Sequence, residues 1–312
     1  GFHSASAHTY NFTLPHRRMP FISCLHTGTQ TGGTEVYVFD LSPTAVVFKA
    51  SNSFSGSINF HAISTTSGPY EEAFTYPSLP QPEIYVNYDD ENVSGTSLLA
   101  VTQNYTGTII NTPTLSSPGI VQESFLFASA SSELVSFQSG VQVPSGTNLT
   151  MGGWINMNNI ALAHVIYALG ISNTTPTFRG AWVQITDTAL TAPGTIRFNL
   201  EGGTAGTERT VVGNSTIVLN KWTHVVVTFD GTTAKIYVDG VLDVSTSASG
   251  ALAFHATDPY FETGRHVQFD NRYMDGNLDE VVYYRNIVLA ANEVRELYRR
   301  GVRGLPAYPN PF

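Results

Sequence analysis

The chain has little charge, almost no lysine and a single cysteine. Charged residues make up 12% of its 312 positions, and lysine occurs only at Lys49, Lys221 and Lys235. Binding to a phosphate backbone relies on clustered Lys and Arg that displace counterions. A net charge of -9 and the scarcity of lysine therefore point away from nucleic acid as a partner. Cys24 has no second cysteine to pair with, so the chain is not a disulfide-stapled module. No apolar run approaches the roughly 18 residues of a membrane-spanning helix, and no membrane insertion is expected. The nine histidines are dispersed, with no His-x-His or His-x-x-x-His pair beside an acid to suggest zinc. Gly-x-Ser-x-Gly elbows and phosphate-cradling loops are also missing.

What remains is a chain rich in Ser, Thr, Gly and Asn, a composition suited to short strands joined by polar turns. Residues 1–33 show no sustained periodicity and read as a flexible N-terminal arm. From Glu35, short β-type runs follow one another up to Ile110, separated by Ser-Pro, Gly-Pro and the cluster Pro77, Pro80 and Pro82. This predicts a smaller β-rich N-terminal domain over 34–118 that serves in assembly or anchoring. The segment 111–119, with two prolines and a glycine, predicts the domain boundary.

Beyond it, eleven or so alternating segments run from Phe125 to Tyr284 and predict a two-sheet jelly roll over 122–303. Between Ala234–Val238 and Val241–Ser245, Asp239-Gly240 supplies the residues of a two-residue hairpin turn. One helix is expected over 291–300, with Val294, Leu297 and Tyr298 on one face and Gly301 as its C-terminal cap. Residues 304–312 read as a tail.

Several motifs then fall in a definite order: Gly153-Trp154-Ile155, Lys221-Trp222-Thr223-His224-Val225, Ile236-Tyr237-Val238-Asp239-Gly240 and Gly276-Asn277-Leu278-Asp279-Glu280-Val281. Tyr284, Arg285 and the helix around Glu293 to Tyr298 complete the series. Together they resemble the laminin-G-like members of the concanavalin A-like lectin/glucanase superfamily over the C-terminal part of the chain. The resemblance implies an all-β, two-sheet jelly-roll sandwich with one short C-terminal helix, its first and last strands adjacent. Members bind glycans, bind proteins or act as spacers, so activity has to be argued from a site.

Hydrolytic relatives carry acids at alternate positions of one strand, and no Glu-x-Asp-x-Glu run occurs here. The nearest acids, Asp89-Asp90-Glu91 and the pair Glu201 and Glu208 flanking a Gly/Thr loop, read as solvated loop acids. No catalytic residue is expected. Relatives often hold a calcium ion beside the late strand, so the resemblance makes Asp279 a candidate ligand with Asp275 or Asp270 nearby, the alternative being capping or turn roles for Asp275 and Asp279; no cofactor is required. Where relatives supply another Asp in their first strand, this chain has Ser131, Ser132 and Glu133, making Glu133 the acidic candidate. Asp279 and Glu280, adjacent on a strand, should point to opposite faces, leaving one as a structural anchor. For a glycan, Tyr260, Phe261 and Tyr273 are the aromatic candidates.

The expected function is that of a non-catalytic structural or adhesion protein, extracellular or on a particle surface. It would display a lectin-like β-sandwich on a virion, a fibre or a cell envelope. The sandwich would bind surface glycans or proteins, and the N-terminal part would contact other structural subunits. The alternative is a polysaccharide hydrolase or lyase on the same fold.

Overall fold

The computed structural model describes residues 8–11, 21–30, 36–41, 45–50, 54–63, 79–102, 105–138, 140–171, 179–187, 192–202, 208–254, 260–266 and 272–308. The chain divides into two compact units, Gly1–Tyr76 and Pro77–Phe312. The first contains β1 (His8–Asn11), β2 (Phe21–Gln30), β3 (Val36–Leu41), β4 (Ala45–Ala50) and β5 (Phe54–Ile63). β2 and β5 pair antiparallel along their whole length, Phe21 opposite Ile63, while β4 pairs with both β1 and β3. The flexible arm expected over 1–33 thus contains two strands. Backbone ladders form between strands of any side-chain pattern, so a strand such as β2, whose apolar residues are gathered in its first half without alternation, leaves little periodicity to read.

The second unit is a sandwich of two antiparallel sheets. The first has eight strands. Seven lie in the order β10 (Thr114–Pro118), β11 (Glu123–Phe127), β22 (Gly276–Arg285), β13 (Leu149–Met157), β18 (Thr223–Phe229), β19 (Thr233–Val238) and β20 (Val241–Ser247). The eighth, β6 (Ile84–Val86), pairs with the later half of β22. The second sheet has nine strands, beginning β17 (Arg209–Thr216), β16 (Thr195–Gly202), β15 (Arg179–Ile185), β14 (His164–Ile171) and β21 (Tyr260–Thr263). It continues with β12 (Leu134–Phe137), β9 (Thr106–Ile110), β8 (Ser97–Leu99) and β7 (Val93–Ser94). The jelly roll and its closure follow the sequence reading: β11 returns beside β22, with Phe125 opposite Leu278.

The boundary does not. Residues 84–118 form no separate domain, because β6 joins one sheet and β7 to β9 join the other. The segment 111–119 is not a linker either, since β10 pairs with β11. The division falls at Tyr76/Pro77, at the head of the proline cluster. Turn residues at 111–119 mark a change of sheet, and local chemistry is the same for a turn inside a domain as for a linker.

Phe125, Phe127, Phe137, Tyr167, Phe198 and Phe229 fill the space between the sheets. The hairpin turn at Asp239-Gly240 has positive φ at both residues, 49° and 75°, as the sequence predicts. The helix α1 (Ala291–Val302) lies on the outer face of the eight-stranded sheet, where Val294 and Leu297 pack with Tyr85, Val226, Val282 and Tyr284. Arg295 and Arg299 are exposed. The helix runs past Gly301, which is buried inside it instead of capping it; a Cβ there would lie 2.3 Å from Trp154 Nε1. Gly304, at φ 65°, takes the left-handed position. The expected tail is docked as far as it is described: Pro306 O accepts from Arg300 Nε at 2.7 Å, and the Ala307 N–H donates to Glu280 Oε2.

Candidate functional site

The outer face of the nine-stranded sheet is built differently. Along β16, Phe198 and Leu200 point into the core, so the alternate residues Arg197, Asn199 and Glu201 face outward. On the neighbouring β15, Ala181, Val183 and Ile185 are core residues, and Trp182 and Gln184 share the outer face. Arg272, ahead of β22, and Glu208, ahead of β17, complete the lining of a cavity of about 270 Å³.

Its polar groups are partly committed to one another. Gln184 Oε1 accepts from Arg272 Nη1 at 3.1 Å and from Trp182 Nε1 at 3.4 Å. Thr210 Oγ1 donates to Asn199 Oδ1 at 2.9 Å and lies 3.3 Å from Glu208 Oε1. Arg197 Nε and Asn199 Nδ2, by contrast, are buried with no hydrogen-bond partner, and Asn199 is only 2% exposed. Buried N–H groups of this kind cost free energy unless an acceptor reaches them. Glu201 is 5% exposed, and burial followed by repulsion from Glu208 pushes its carboxyl up to about 7 against the pull of Arg209. Burial holds Arg272 below its ordinary value, an effect that Asp187 opposes and Arg197 reinforces. The cavity therefore offers donors to an oxygen-rich molecule and contains a carboxyl that gains or loses its proton near neutral pH.

Reading Glu201 as a solvated loop acid was wrong, and so was the same reading of Asp89. Asp89 is buried, and its Oδ1 accepts from the Glu123 N–H at 3.1 Å while Asn87 Nδ2 donates to its Oδ2 at 2.5 Å. A signal for Glu201 was present: polar residues at 197, 199 and 201 alternate with core residues, marking one face of a strand.

The calcium candidates that are described accept hydrogen bonds from the chain itself. Asp279 Oδ2 accepts from the N–H groups of Ile120 at 2.9 Å and Val121 at 3.0 Å. Asp275 Oδ1 accepts from Asn158 Nδ2 at 3.1 Å, and its Oδ2 accepts from Ser129 Oγ at 3.2 Å and from Asn159 Nδ2. Glu133 Oε2 takes the Ala128 N–H at 2.6 Å. Asp279 Oδ1, by contrast, is buried without a hydrogen-bond partner, and a hard cation requires about six to eight oxygens around it. No group of three metal-ligating side chains occurs among the described residues, and Asp270 lies outside them.

Asp279 and Glu280 also break the alternation rule. Val282 lies opposite Gly152 and Asp279 opposite Trp154, so β22 has an extra residue here, and Glu280 adopts a φ of 53°. The bulge leaves both carboxyls buried near one another. Glu280 accepts from Tyr85 Oη at 2.8 and 2.9 Å, and burial followed by repulsion from Glu280 raises Asp279 well above the usual carboxylate range.

Of the aromatic candidates, Phe261 is fully buried in the core, stacked on Tyr283 at 5.8 Å. Tyr273 is half-buried beneath the Arg265 guanidinium. Only Tyr260 joins the outer-face patch, beside Val165, Ala168 and Trp182.

Similarity to known proteins agrees with this architecture. Several solved structures share the fold. Domain 4 of AbnA, a GH43 extracellular arabinanase from Geobacillus stearothermophilus solved in complex with arabinotriose, matches at 16% identity and a TM-score of 0.52. That match covers 70% of this chain and 98% of that one. The binding domain of botulinum neurotoxin serotype G matches at 16% identity and a TM-score of 0.51, covering 70% and 51%. The serotype D ligand binding domain, in complex with N-acetylneuraminic acid, matches at 14% identity and a TM-score of 0.52, covering 70% and 50%. The chain thus spans about half the length of the neurotoxin domains it matches. No curated protein matches its sequence. The family model of the concanavalin A-like lectin/glucanases superfamily matches residues 129–295, more than half of the chain, and the protein belongs to that superfamily as a laminin-G-like β-sandwich.

Proposed function

We propose that the sandwich is a non-catalytic saccharide-binding module and that the cavity on its nine-stranded sheet is the binding site. The observation that carries this reading is the pair of buried, partnerless donors, Arg197 Nε and Asn199 Nδ2, on a polar face within a sheet of otherwise apolar interior. Sugar hydroxyls and carboxylates supply the acceptors such donors lack. Solved structures of the same fold hold arabinotriose or N-acetylneuraminic acid, which supports a saccharide as ligand. In this reading the module is displayed extracellularly, on a virion, a fibre or a cell envelope. The separate unit Gly1–Tyr76 contacts the other structural subunits.

A saccharide array and calorimetric titration of the full chain test the site. We expect binding that Asn199→Ala abolishes while leaving the melting temperature within a degree or two. Binding that survives this substitution places the site elsewhere. One observation favours a second, hydrolytic reading: Glu201, poised near neutral pH beside Glu208, has the character of a general acid. Release of reducing ends from a polysaccharide, abolished by Glu201→Gln, would replace the binding reading with that one.

A further inference from the structure

We propose that the saccharide this cavity accepts is an acidic one, held through its carboxylate by Arg197 and Asn199. The inference rests on the saccharide-binding reading and narrows it to one class of ligand. It follows from counting which hydrogen-bonding capacities in the cavity are already used. On the acceptor side, Gln184 Oε1 receives two donors, Asn199 Oδ1 receives Thr210 Oγ1, and Glu208 Oε1 lies 3.3 Å from the same hydroxyl, which leaves chiefly the Glu201 carboxyl, itself pushed up to about 7. On the donor side, Arg197 Nε and Asn199 Nδ2 have nothing to donate to. A neutral sugar hydroxyl satisfies a donor, but it brings an O–H that seeks an acceptor in turn. A carboxylate brings acceptors alone.

Charge points the same way. Arg197 makes no ion pair among the described residues, although its Nε is out of solvent. A guanidinium partly withdrawn from water is costly unless an anion meets it. Arg272 lines the same cavity, and its charge is disfavoured by burial and by Arg197. An anion seated near both relieves that repulsion. The opposing charges are those of Glu201 and Glu208, together with Asp187, which acts on Arg272. Glu201, with its carboxyl pushed up to about 7, is partly neutral near physiological pH and then adds a donor to the cavity. Arg197 and Asn199 stand two residues apart on β16, roughly 7 Å along the strand, a span that a long Arg side chain readily crosses.

The test is an array of neutral, carboxylated and sulfated oligosaccharides probed with the full chain, followed by calorimetry on the strongest member of each group. We expect carboxylated saccharides to bind at least tenfold more tightly than their neutral counterparts. Arg197→Gln should remove that preference, and the exposed Arg299→Ala should leave it intact. Circular dichroism and the melting temperature of each variant establish that it is folded. Asn199→Ala provides a second route if Arg197→Gln is not folded. Hits confined to neutral sugars would overturn the inference and leave the saccharide reading standing. Hits confined to sulfated sugars would show an anion site of another chemistry and overturn the carboxylate assignment. No hit of any kind would remove the saccharide reading, and the inference with it.

Discussion

On the outer face of the eight-stranded sheet, Tyr85, Val226, Val282 and Tyr284 lie under Val294 and Leu297 of α1, whereas the corresponding face of the nine-stranded sheet presents Arg197, Asn199, Glu201 and Gln184 around a cavity. Both faces arise from period-two alternation on strands whose other residues fill one shared core. On the first, the apolar side chains are covered by α1, although His224 Nδ1, Thr228 Oγ1, Tyr284 Oη and Glu296 Oε2 are also buried there without a hydrogen-bond partner. Trp154 lies between His224 and Tyr298, at centroid distances of 5.0 and 5.5 Å, and burial pulls His224 down to about 3. On the second, donors are withdrawn from water and given no partner. The contrast teaches that burial alone does not identify structural residues. A buried apolar residue covered by the chain stabilises the fold, whereas a partnerless donor marks a place for another molecule only where, as at Arg197 and Asn199, it lines a cavity.

If the comparison is right, substitutions on the helix side should change stability and leave binding alone. The largest effect is expected from Leu297→Ala, which should cost about 2–5 kcal/mol and lower the melting temperature of the full chain markedly. Arg299→Ala, on the exposed side of the same helix, should change stability by no more than about 0.5 kcal/mol. Equal small effects from the two would make α1 a peripheral tail. Next comes Gly301→Ala. Its methyl group would enter the space of the Trp154 indole, and overpacking of this kind costs about 1–3 kcal/mol. A gain in stability would mean that the helix sits loosely on the sheet. Denaturant titration measures both.

The smallest effect concerns the buried acids of β22. Asp279 and Glu280 both have carboxyl pKa values raised above the unfolded range, chiefly by burial. The folded state then holds protons that the unfolded chain releases. Their contribution to stability is therefore greatest near and below the ordinary carboxylate pKa of about 4, and it declines as pH rises from there through the raised folded values. Glu280→Gln removes one of these charges and retains an acceptor for the Ala307 N–H. The decline in melting temperature between pH about 4 and about 8 should become shallower in this variant. An unchanged slope would show that Glu280 carries no charge-dependent cost.

Much of the sandwich was readable before its structure. Alternation located β13, β18, β19 and β22, Asp239-Gly240 announced its turn, and Val294 and Leu297 defined the buried side of α1. The candidate site was much less readable. Arg197, Asn199 and Glu201 show their common face in the alternation, but Trp182 and Gln184 come from another strand and Arg272 from a loop. Phe261 carries no local mark that separates a core ring from an exposed one. The extra residue at Glu280 could not be read at all, since a bulge is defined by what the partner strand lacks.

The sequence by itself therefore determined the β-sandwich, its superfamily and the helix that closes it, because these follow from spacing along one chain and from interactions with the nearest turn. Only the tertiary structure decided that Ile84 to Pro118 belong to the sandwich, that Asp279 Oδ2 takes two backbone N–H groups, and that Asn199 Nδ2 faces a cavity without a partner. Strand pairing and hydrogen-bond satisfaction depend on residues brought together from more than a hundred positions apart, as with Val121 and Asp279, and no local pattern records which groups will be left without a partner.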